Sequence, residues 1–296
     1  MELIRTGKVK EVYDAGDFLH FVFTDKISVF DKIIPTLIDG KGISLCMTAA
    51  FWFRILENEG IATHFISTPE HNTMNVKKFK IIKKNSGEKG NFLIPLEFVT
   101  RYYVAGTLMD RLKSGKIKFQ DIGFRKFPEY GEMIPEPMFE MTTKFEDYDR
   151  PLGIEEASSI SGLGKDEISE VRELVLRIDD IMKNEVEKRN LLHADGKKEI
   201  ALDSDRRPII VDTFGTADED RFWDLALYRA GQVRELSKEF VRQYYRSTGY
   251  YDMLYRARSN GSKEPDIPPL PEDLRIKTVN LYRSMYTAIT GNPWNF

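Results

Sequence analysis

The chain has 296 residues, 41% of them hydrophobic and 12% aromatic, enough to bury a core as one large domain or two lobes. Its 44 basic and 47 acidic residues give a net charge of −3, so the composition does not indicate a surface for nucleic acid or membrane. The single cysteine, Cys46, excludes an internal disulfide and is typical of a reducing compartment.

The sequence also shows no pattern typical of a targeting segment. The first residues lack the apolar core of a signal peptide, and no apolar run approaches the length of a transmembrane helix. We therefore expect a soluble, cytoplasmic protein.

The N-terminal region alternates between apolar and polar residues as strands do. The pattern predicts strands at residues 9–13, 18–24 and 29–34. Gly7 and Lys8 stand just before the first of them. Backbone N–H groups and an ammonium at such a turn can bind phosphates, but a lone Gly-Lys pair by itself favours an ordinary turn.

Helical spacing of apolar residues predicts a helix from Ser44 to Asn58, in which residues 51–53 (Phe-Trp-Phe) belong to the core. Strand-like segments follow up to Ile82, and residues 84–91 form a polar loop. The apolar segment at residues 92–97 is broken by a proline. Such a segment can connect two lobes and offer backbone groups to a base.

A strand is predicted from Phe98 to Val104, and residues 105–107 (Ala-Gly-Thr) turn into a short helix. Arg101 and the Thr107 hydroxyl can hold an anion across that turn, with help from the N–H groups of the new helix. The alternative is an arginine paired with a local carboxylate and a threonine that caps the helix. The residues alone leave both interpretations open.

The second half is predicted to be mainly helical. Residues 115–140 are expected to be irregular, and an amphipathic helix runs from Gly164 to Arg189. Two further helices are predicted, at residues 225–247 and 271–290.

Between these helices lies a predicted hairpin, with strands at residues 198–202 and 208–212 and an Asp/Ser-rich turn between them. Lys197 and Glu199 near its start and Asp212 at its far end come together. Two carboxylates and an ammonium there fit a metal-bound polyphosphate. A solvated hairpin with charged tips is the simpler interpretation of this stretch alone.

A series of motifs in sequence order resembles the SAICAR synthetase family. Each motif alone is weak, but their order along nearly the whole chain is specific. They are Gly7-Lys8-Val9-Lys10-Glu11-Val12-Tyr13, Thr24-Asp25-Lys26-Ile27-Ser28-Val29-Phe30-Asp31, Gly40-Lys41-Gly42, Phe51-Trp52-Phe53, Ile94-Pro95-Leu96-Glu97 with Arg101 and Ala105-Gly106-Thr107, Thr143-Lys144 with Asp149, Asp195 with Lys197 and Glu199, and Asp212 with Asp218 and Arg221-Phe222-Trp223.

The resemblance implies a two-lobed α+β fold with a kinase-like or ATP-grasp-like nucleotide-binding half. It places a β-rich nucleotide-binding lobe at residues 1–96 and an α+β lobe with the metal and substrate residues at 97–296. It also implies an ATP-dependent ligase that joins L-aspartate to carboxyaminoimidazole ribotide, giving the succinocarboxamide SAICAR, ADP and phosphate. Phosphorylation would activate the ribotide carboxylate, with Mg²⁺ and lysines offsetting charge. The partners implied are small-molecule substrates, for a monomer or small homo-oligomer.

The resemblance also assigns residues. It places Gly7, Lys8 and Lys10 on the ATP phosphates, Leu93 and Leu96 against adenine, and Lys83 as the lysine of the 80–84 segment that joins them. Lys197, Glu199 and Asp212 would be catalytic, and Glu199 and Asp212 would also carry Mg²⁺. Arg101, Thr107 and Arg221 would hold the ribotide phosphate, and Asp149 and Asp218 would lie at the substrate end.

The chain departs from the family pattern mainly on the substrate side. Gly196-Lys197-Lys198-Glu199 replaces T-K-F-E, Asp212-Thr213 replaces D-E, Ala217-Asp218-Glu219-Asp220-Arg221 replaces P-D-S-S-R, Tyr148 replaces a histidine and Thr107 replaces a serine. A carboxylate about 5 Å from a phosphate costs on the order of 1 kcal/mol or more. Either Glu219 and Asp220 turn away to solvent, or the substrate is not the usual ribotide phosphate. A paralogous amide ligase acting on another acid or amine, and a weakly active nucleotide-binding homologue, are the alternatives.

Overall fold

A computed structural model describes residues 1–85, 87–146 and 149–296. Its strands are β1 (Glu2–Thr6), β2 (Lys10–Asp14), β3 (Phe18–Phe23), β4 (Lys26–Val29), β5 (Lys32–Leu37), β6 (Phe65–Ser67), β7 (Thr73–Lys77), β8 (Lys80–Ile81), β9 (Phe92–Leu93), β10 (Leu96–Tyr103), β11 (Met133–Thr143), β12 (Pro151–Leu152), β13 (Leu191–Leu202), β14 (Pro208–Val211) and β15 (Arg221–Asp224). Its helices are α1 (Lys41–Asn58), α2 (Gly106–Lys113), a 3₁₀ turn (Phe119–Ile122), α3 (Ile154–Ser161), α4 (Lys165–Glu187), α5 (Leu225–Arg229), α6 (Glu239–Ser247), α7 (Tyr250–Ser259) and α8 (Glu272–Thr290).

The N-terminal sheet is antiparallel, with strand order β1-β2-β3-β7-β6. Helix α1 packs against β3 and β7 and buries Trp52 and Phe53 completely. The predicted helix and its aromatic core residues are therefore confirmed, with a start three residues earlier than Ser44.

The strand predicted at residues 29–34 is wrong. The chain instead forms the two-stranded hairpin β4–β5, because Phe30 and Asp31 both adopt positive φ angles, 51° and 65°. A left-handed pair at the turn reverses the chain while the apolar alternation continues on either side. The alternation alone therefore could not reveal the turn.

The second sheet is built around β13, the longest strand. It pairs with β10 along Asp195–Lys198, with β15 at its start, and with β14 and β9 at its end. The predicted hairpin is confirmed: Glu199 lies opposite Val211, and Leu202 lies opposite Pro208. Its turn is held by Asp203, whose Oδ1 accepts hydrogen bonds from the backbone N–H groups of residues 205 and 207.

Two predictions for the second half need correction. Residues 115–140 are not uniformly irregular, since β11 begins at Met133 and pairs with β10. The predicted helix at residues 225–247 is two helices, α5 and α6, separated by residues 230–238. Apolar residues continue through that gap at Ala230, Val233 and Leu236, so their spacing concealed it. The predictions for α4 and α8 are confirmed to within two residues at each end.

A continuous hydrophobic core joins the two sheets. Helix α8 returns to pack on α1, and the Ser44 hydroxyl donates to the Tyr282 carbonyl at 2.8 Å. Strands β8 and β9 come from the first 96 residues but pair within the second sheet. The lobe boundary at residue 96 remains a prediction. Among the described helices, none is long and apolar enough to span a membrane.

Candidate active site

A cleft with a cavity volume of ≈280 Å³ opens where the β4–β5 turn faces β13 and α6. Charged groups dominate its lining. The lining residues are Lys8, Ser28, Val29, Phe30, Asp31, Glu97, Asp149, Lys197, Asp218, Glu219, Lys238 and Arg242. The cleft thus collects several residues that the sequence placed far apart, and it is the centre of the candidate site.

Lys197 projects from β13 into a group of carboxylates. Its Nζ lies 2.8 Å from Glu97, 3.0 Å from Glu199 and 3.5 Å from Glu219. Burial would lower the pKa of Lys197, but the carboxylates of Glu219, Glu199 and Glu97 outweigh it and raise the pKa well above its ordinary value. A fixed, permanently charged ammonium therefore stands in the cleft.

Glu97 reaches the same ammonium from β10. Burial raises the pKa of Glu97 to about 7, against the lowering effect of Lys197. The sequence included Glu97 in a motif but gave it no role. Its contact with Lys197 depends on the pairing of β10 with β13, in which Val99 lies directly opposite Lys197, and a motif read in isolation does not show that pairing.

Two more lysines bind the carboxylates at the end of the hairpin. Lys144 pairs with Glu199, and Lys10 pairs with Asp212. Burial would raise the pKa of Asp212, but the ammonium groups of Lys10, Lys144 and Lys197 outweigh it and hold the pKa far below its usual range. The pKa of Glu199 is likewise lowered, since Lys197 and Lys144 outweigh the effect of its burial. Both groups are therefore ionised.

The donor chemistry of Glu199 and Asp212 fits a hard cation such as Mg²⁺. Asp212 follows β14 with a φ of 59°, a left-handed conformation that ends the strand and that aspartate tolerates. The described residues contain no group of three or more His, Cys, Asp or Glu able to hold an ion by themselves. Proteins usually bind Mg²⁺ through one or two carboxylates, and water and phosphate oxygens take the remaining coordination positions.

The Gly-Lys motif lies at the β1–β2 turn. Gly7 N–H donates to the Lys10 carbonyl at 2.8 Å, and a Cβ at residue 7 would lie 2.9 Å from that carbonyl oxygen. This tight turn therefore requires glycine. Lys8 pairs with Asp31 at the edge of the cleft.

The other residues predicted for nucleotide lie elsewhere. Leu93 is half-buried at the end of β9, and Leu96 is buried at the start of β10. Lys83 is exposed in the bend after β8 and is absent from the lining of the cleft. Their roles toward ATP stay predictions.

Arg101, Thr107 and Arg221 do converge. Arg101 lies 3.4 Å from both Asp195 and the Thr107 hydroxyl, and Arg221 also pairs with Asp195. A Cβ at Gly106 would lie 2.6 Å from an Arg221 nitrogen, so the α2 turn approaches this guanidinium closely. Of the two interpretations of Arg101 and Thr107, the ion pair to a carboxylate is present as Arg101–Glu140 at 2.8 Å. The threonine cap is not, because the N-cap residue is Ala105.

Asp218 is almost fully buried beside the cleft. It accepts from Lys41 Nζ at 2.8 Å and from the Tyr282 hydroxyl at 2.5 Å, and Lys238 Nζ lies 3.6 Å away. Burial would raise its pKa, but the two lysines outweigh this and hold the pKa of Asp218 well below its usual range. Lys41 belongs to the Gly-Lys-Gly motif. The two glycines on either side of this lysine are the sequence signal that could have identified it as a site residue.

Sequence reasoning missed two cations that line the cleft at the start of α6, its N-cap residue Lys238 and Arg242 in its first turns. They lie in an ordinary amphipathic segment, so no local signal separates them from surface charges. Asp149 also lines the cleft, and its role at the substrate end stays a prediction. Its pKa is raised by burial and by Asp31, against Lys197 and Lys8. Tyr148, the departure beside it, lies outside the described residues.

Glu219 and Asp220 take different directions. Glu219 faces the cleft and Lys197, whereas Asp220 points into the protein, where it contacts His193 and Lys198. The expectation that both side chains turn away to solvent is therefore wrong. The two residues lie in the turn before β15, where the Asp220 N–H donates to the Thr216 carbonyl at 2.9 Å and the Asp220 carboxylate accepts the Gly215 N–H at 2.7 Å, which holds its side chain on the core side.

Comparison with known proteins gives a consistent result. The family model of SAICAR synthetase matches residues 3–256. The chain is 59% identical over 294 residues to a phosphoribosylaminoimidazole-succinocarboxamide synthase of Thermoplasma acidophilum, covering 99% of this chain and 100% of the relative. It is 57% identical to the protein of the same name from Thermoplasma volcanium, with the same coverage.

Solved structures agree. The SAICAR synthase of Saccharomyces cerevisiae in complex with SAICAR matches with a TM-score of 0.76 and 25% identity, covering 100% of this chain and 97% of that one. A SAICAR synthetase in complex with ADP matches with a TM-score of 0.70 and 25% identity, covering 99% of each chain. The predicted α+β fold of this family is confirmed.

Proposed function

Because the chain belongs to the SAICAR synthetase family, we propose that it joins L-aspartate to the carboxylate of carboxyaminoimidazole ribotide, with cleavage of ATP to ADP and phosphate. The product is SAICAR, an intermediate of purine biosynthesis. The observation that carries this proposal is the position of Lys197, which stands in a cleft within 3.0 Å of Glu97 and Glu199.

ATP would lie along the β1–β2 turn. The N–H groups around Gly7 and the ammonium groups of Lys8 and Lys10 are donors for its phosphates. The backbone near Leu93 and Leu96 would contact adenine, and Lys83 would approach the nucleotide only from its exposed bend. Lys10 supports this arrangement, because it already pairs with Asp212 and so links the turn to the end of the hairpin.

Glu199 and Asp212 would hold Mg²⁺. When bound, the ion offsets negative charge on the phosphates and orients them. Lys10, Lys144 and Lys197 pair with these carboxylates, so their ammonium groups would be available to phosphate oxygens once Mg²⁺ is held there. These lysines would thus pair with the carboxylates when no nucleotide is bound, and they would contact the phosphates when ATP is bound.

The ribotide phosphate would bind between Arg101, Thr107 and Arg221. Asp195 contacts both guanidinium groups and Glu140 fixes Arg101, so the donors are held in position before the ligand arrives. Aspartate would enter beside Asp149 and Asp218, with Lys238 and Arg242 available for its carboxylates.

The chemistry proceeds in two displacements. An oxygen of the ribotide carboxylate attacks the γ-phosphorus of ATP, the bond to ADP breaks, and an acyl phosphate results. The amine of aspartate then attacks the acyl carbon, loses a proton, and expels phosphate as the amide forms. Lys197 lies where charge accumulates in both steps, so its contribution is electrostatic.

The direct test is ligation by the purified protein. With Mg-ATP, L-aspartate and the carboxylated ribotide, we expect SAICAR by mass spectrometry and one ADP for each product molecule. Omitting aspartate should remove the product. If ADP binds but no succinocarboxamide forms at high enzyme concentration, the proposed function is wrong and the paralogous ligase becomes the better interpretation.

A further inference from the structure

Asp220 is the centre of a buried polar cluster behind the cleft. Its Oδ2 lies 2.7 Å from His193 Nε2 and 3.3 Å from Lys198 Nζ, and its Oδ1 accepts the Gly215 N–H at 2.7 Å. Its side chain is fully buried. These contacts tie the loop at residues 213–220 to β13. We call this segment the substrate loop, because it presents Asp218 and Glu219 to the cleft.

The space for this carboxylate exists only because residue 196 is glycine. A Cβ built on Gly196 would lie 1.9 Å from Asp220 Oδ2 and 2.9 Å from His193 Nε2. Real Cβ atoms do not approach other atoms so closely, so any larger residue at 196 would displace the carboxylate. The family pattern has threonine at this position and serine at position 220.

Lys198 places a positive charge beside this carboxylate. It is fully buried, pairs with Asp179 and lies 3.3 Å from Asp220. Asp179 is in turn bound by the hydroxyls of Thr100 and Tyr102. A buried carboxylate is costly unless it is paired, and this ammonium lowers the cost of aspartate at 220 together with the contacts to His193 and Gly215. The family pattern has phenylalanine where Lys198 stands.

We infer that Gly196, Lys198 and Asp220 are one coupled replacement, in which Asp220 is a positioning residue that fixes the substrate loop against β13. Gly196 provides the space, Lys198 offsets part of the negative charge, and the carboxylate makes the connection. The three differences from the family pattern are therefore one structural change on the buried side of the strand. Asp220 adds no negative charge to the ribotide-phosphate site.

The inference rests on the proposed function for its kinetic test. Thermal unfolding provides a second test that does not depend on that function. Its test is a double-mutant cycle with Gly196→Thr, Asp220→Ser and the double variant that restores both family residues. Lys198 keeps Asp179 as a partner in all three, so no lysine is left buried alone. The thermal midpoint and the KM values for ATP, aspartate and ribotide are measured for each.

We expect Asp220→Ser to raise KM for aspartate and ribotide about tenfold, with KM for ATP changed by less than about twofold. Gly196→Thr alone should lower the thermal midpoint most, because its side chain collides with the carboxylate. The double variant should recover about tenfold in KM relative to Gly196→Thr, because serine vacates the space. Where Gly196→Thr does not fold, Gly196→Ala takes its place in the cycle.

Two results would overturn the inference. One is a double variant that behaves as two independent sites do. Its fold-change in KM would then be the product of the two single fold-changes, and its shift in thermal midpoint would be their sum. The other is an Asp220→Ser enzyme whose KM values are all unchanged, which would make the cluster merely structural. A wild-type protein that makes no SAICAR refutes the proposed function instead, and the unfolding cycle still decides the coupling.

Discussion

On the cleft face of β13, Lys197 stands among Glu97, Glu199 and Glu219, while on the opposite face its neighbour Lys198 stands between Asp179 and Asp220. Both lysines are paired, yet their surroundings differ. Lys197 keeps 23% of its side chain exposed in a cleft, and Lys198 is fully buried. The same ion-pair chemistry can therefore serve ligands on one face and the fold on the other.

The difference matters for what substitutions mean. A carboxylate on the cleft face is available to a metal or a substrate, whereas one on the core face is already compensated and cannot select a ligand. Glu219 reaches the cleft and Asp220 points into the core, although they are neighbours in sequence. Changes from a family pattern therefore indicate a new substrate only when the changed side chain reaches the cleft.

The largest effect is expected at Asp212, a proposed Mg²⁺ ligand that follows β14. Asp212→Asn keeps the side-chain volume, and asparagine tolerates the left-handed backbone there, so the fold should remain stable. The loss of a negatively charged ligand should lower Mg²⁺-dependent kcat about 10²- to 10³-fold. ADP release at saturating Mg²⁺ measures it.

The matched control is Asp205→Asn, in the exposed turn of the same hairpin, where we expect wild-type turnover. Retained activity in Asp212→Asn would contradict the metal assignment. A loss in both variants would indicate that the hairpin as a whole, rather than the metal site, had been disturbed.

The next largest effect is expected at Arg101, whose guanidinium is proposed to contact the ribotide phosphate. Arg101→Met should raise KM for the ribotide about 10- to 100-fold, because charge-assisted hydrogen bonds are lost. KM for ATP should not change. Steady-state kinetics with each substrate varied in turn measures both.

Arg111→Met provides the control for this variant. Arg111 pairs with the same Glu140 at 2.7 Å, so its loss removes an ion pair without removing the proposed phosphate ligand. An equal rise in KM for both variants would mean that Glu140 and its ion pairs, rather than the Arg101 guanidinium, determine the effect.

The smallest effect is expected at Glu219, the changed residue that does reach the cleft. Glu219→Ser restores the family residue and removes a contact of 3.5 Å to Lys197. Because such partly exposed pairs contribute little, kcat/KM for the ribotide should change by less than about fivefold. A change of several hundredfold, or turnover gained on another acid, would show that Glu219 sets the substrate.

Much of this organisation could be predicted from the sequence. The hairpin strands and α4 have clear periodicity, and Lys197, Glu199 and Asp212 lie within one short motif-rich stretch. The direction of Asp220 could not be predicted, because it depends on the missing side chain of Gly196 and on Lys198 beneath it. Glu97 and Lys238 were missed because strand pairing and helix packing, rather than local pattern, bring them to the cleft.

The comparison of Lys197→Met with Lys198→Met tests the division between the two faces most directly. Both kcat and the free energy of unfolding are measured for each purified variant. Lys197→Met should lower kcat about 10²- to 10³-fold with the smaller loss of stability. Lys198→Met should destabilise the protein by about 3–5 kcal/mol, since it leaves buried carboxylates uncompensated, while the folded fraction keeps more of its turnover. A stable but inactive Lys198→Met enzyme, or an active Lys197→Met enzyme, would contradict the account.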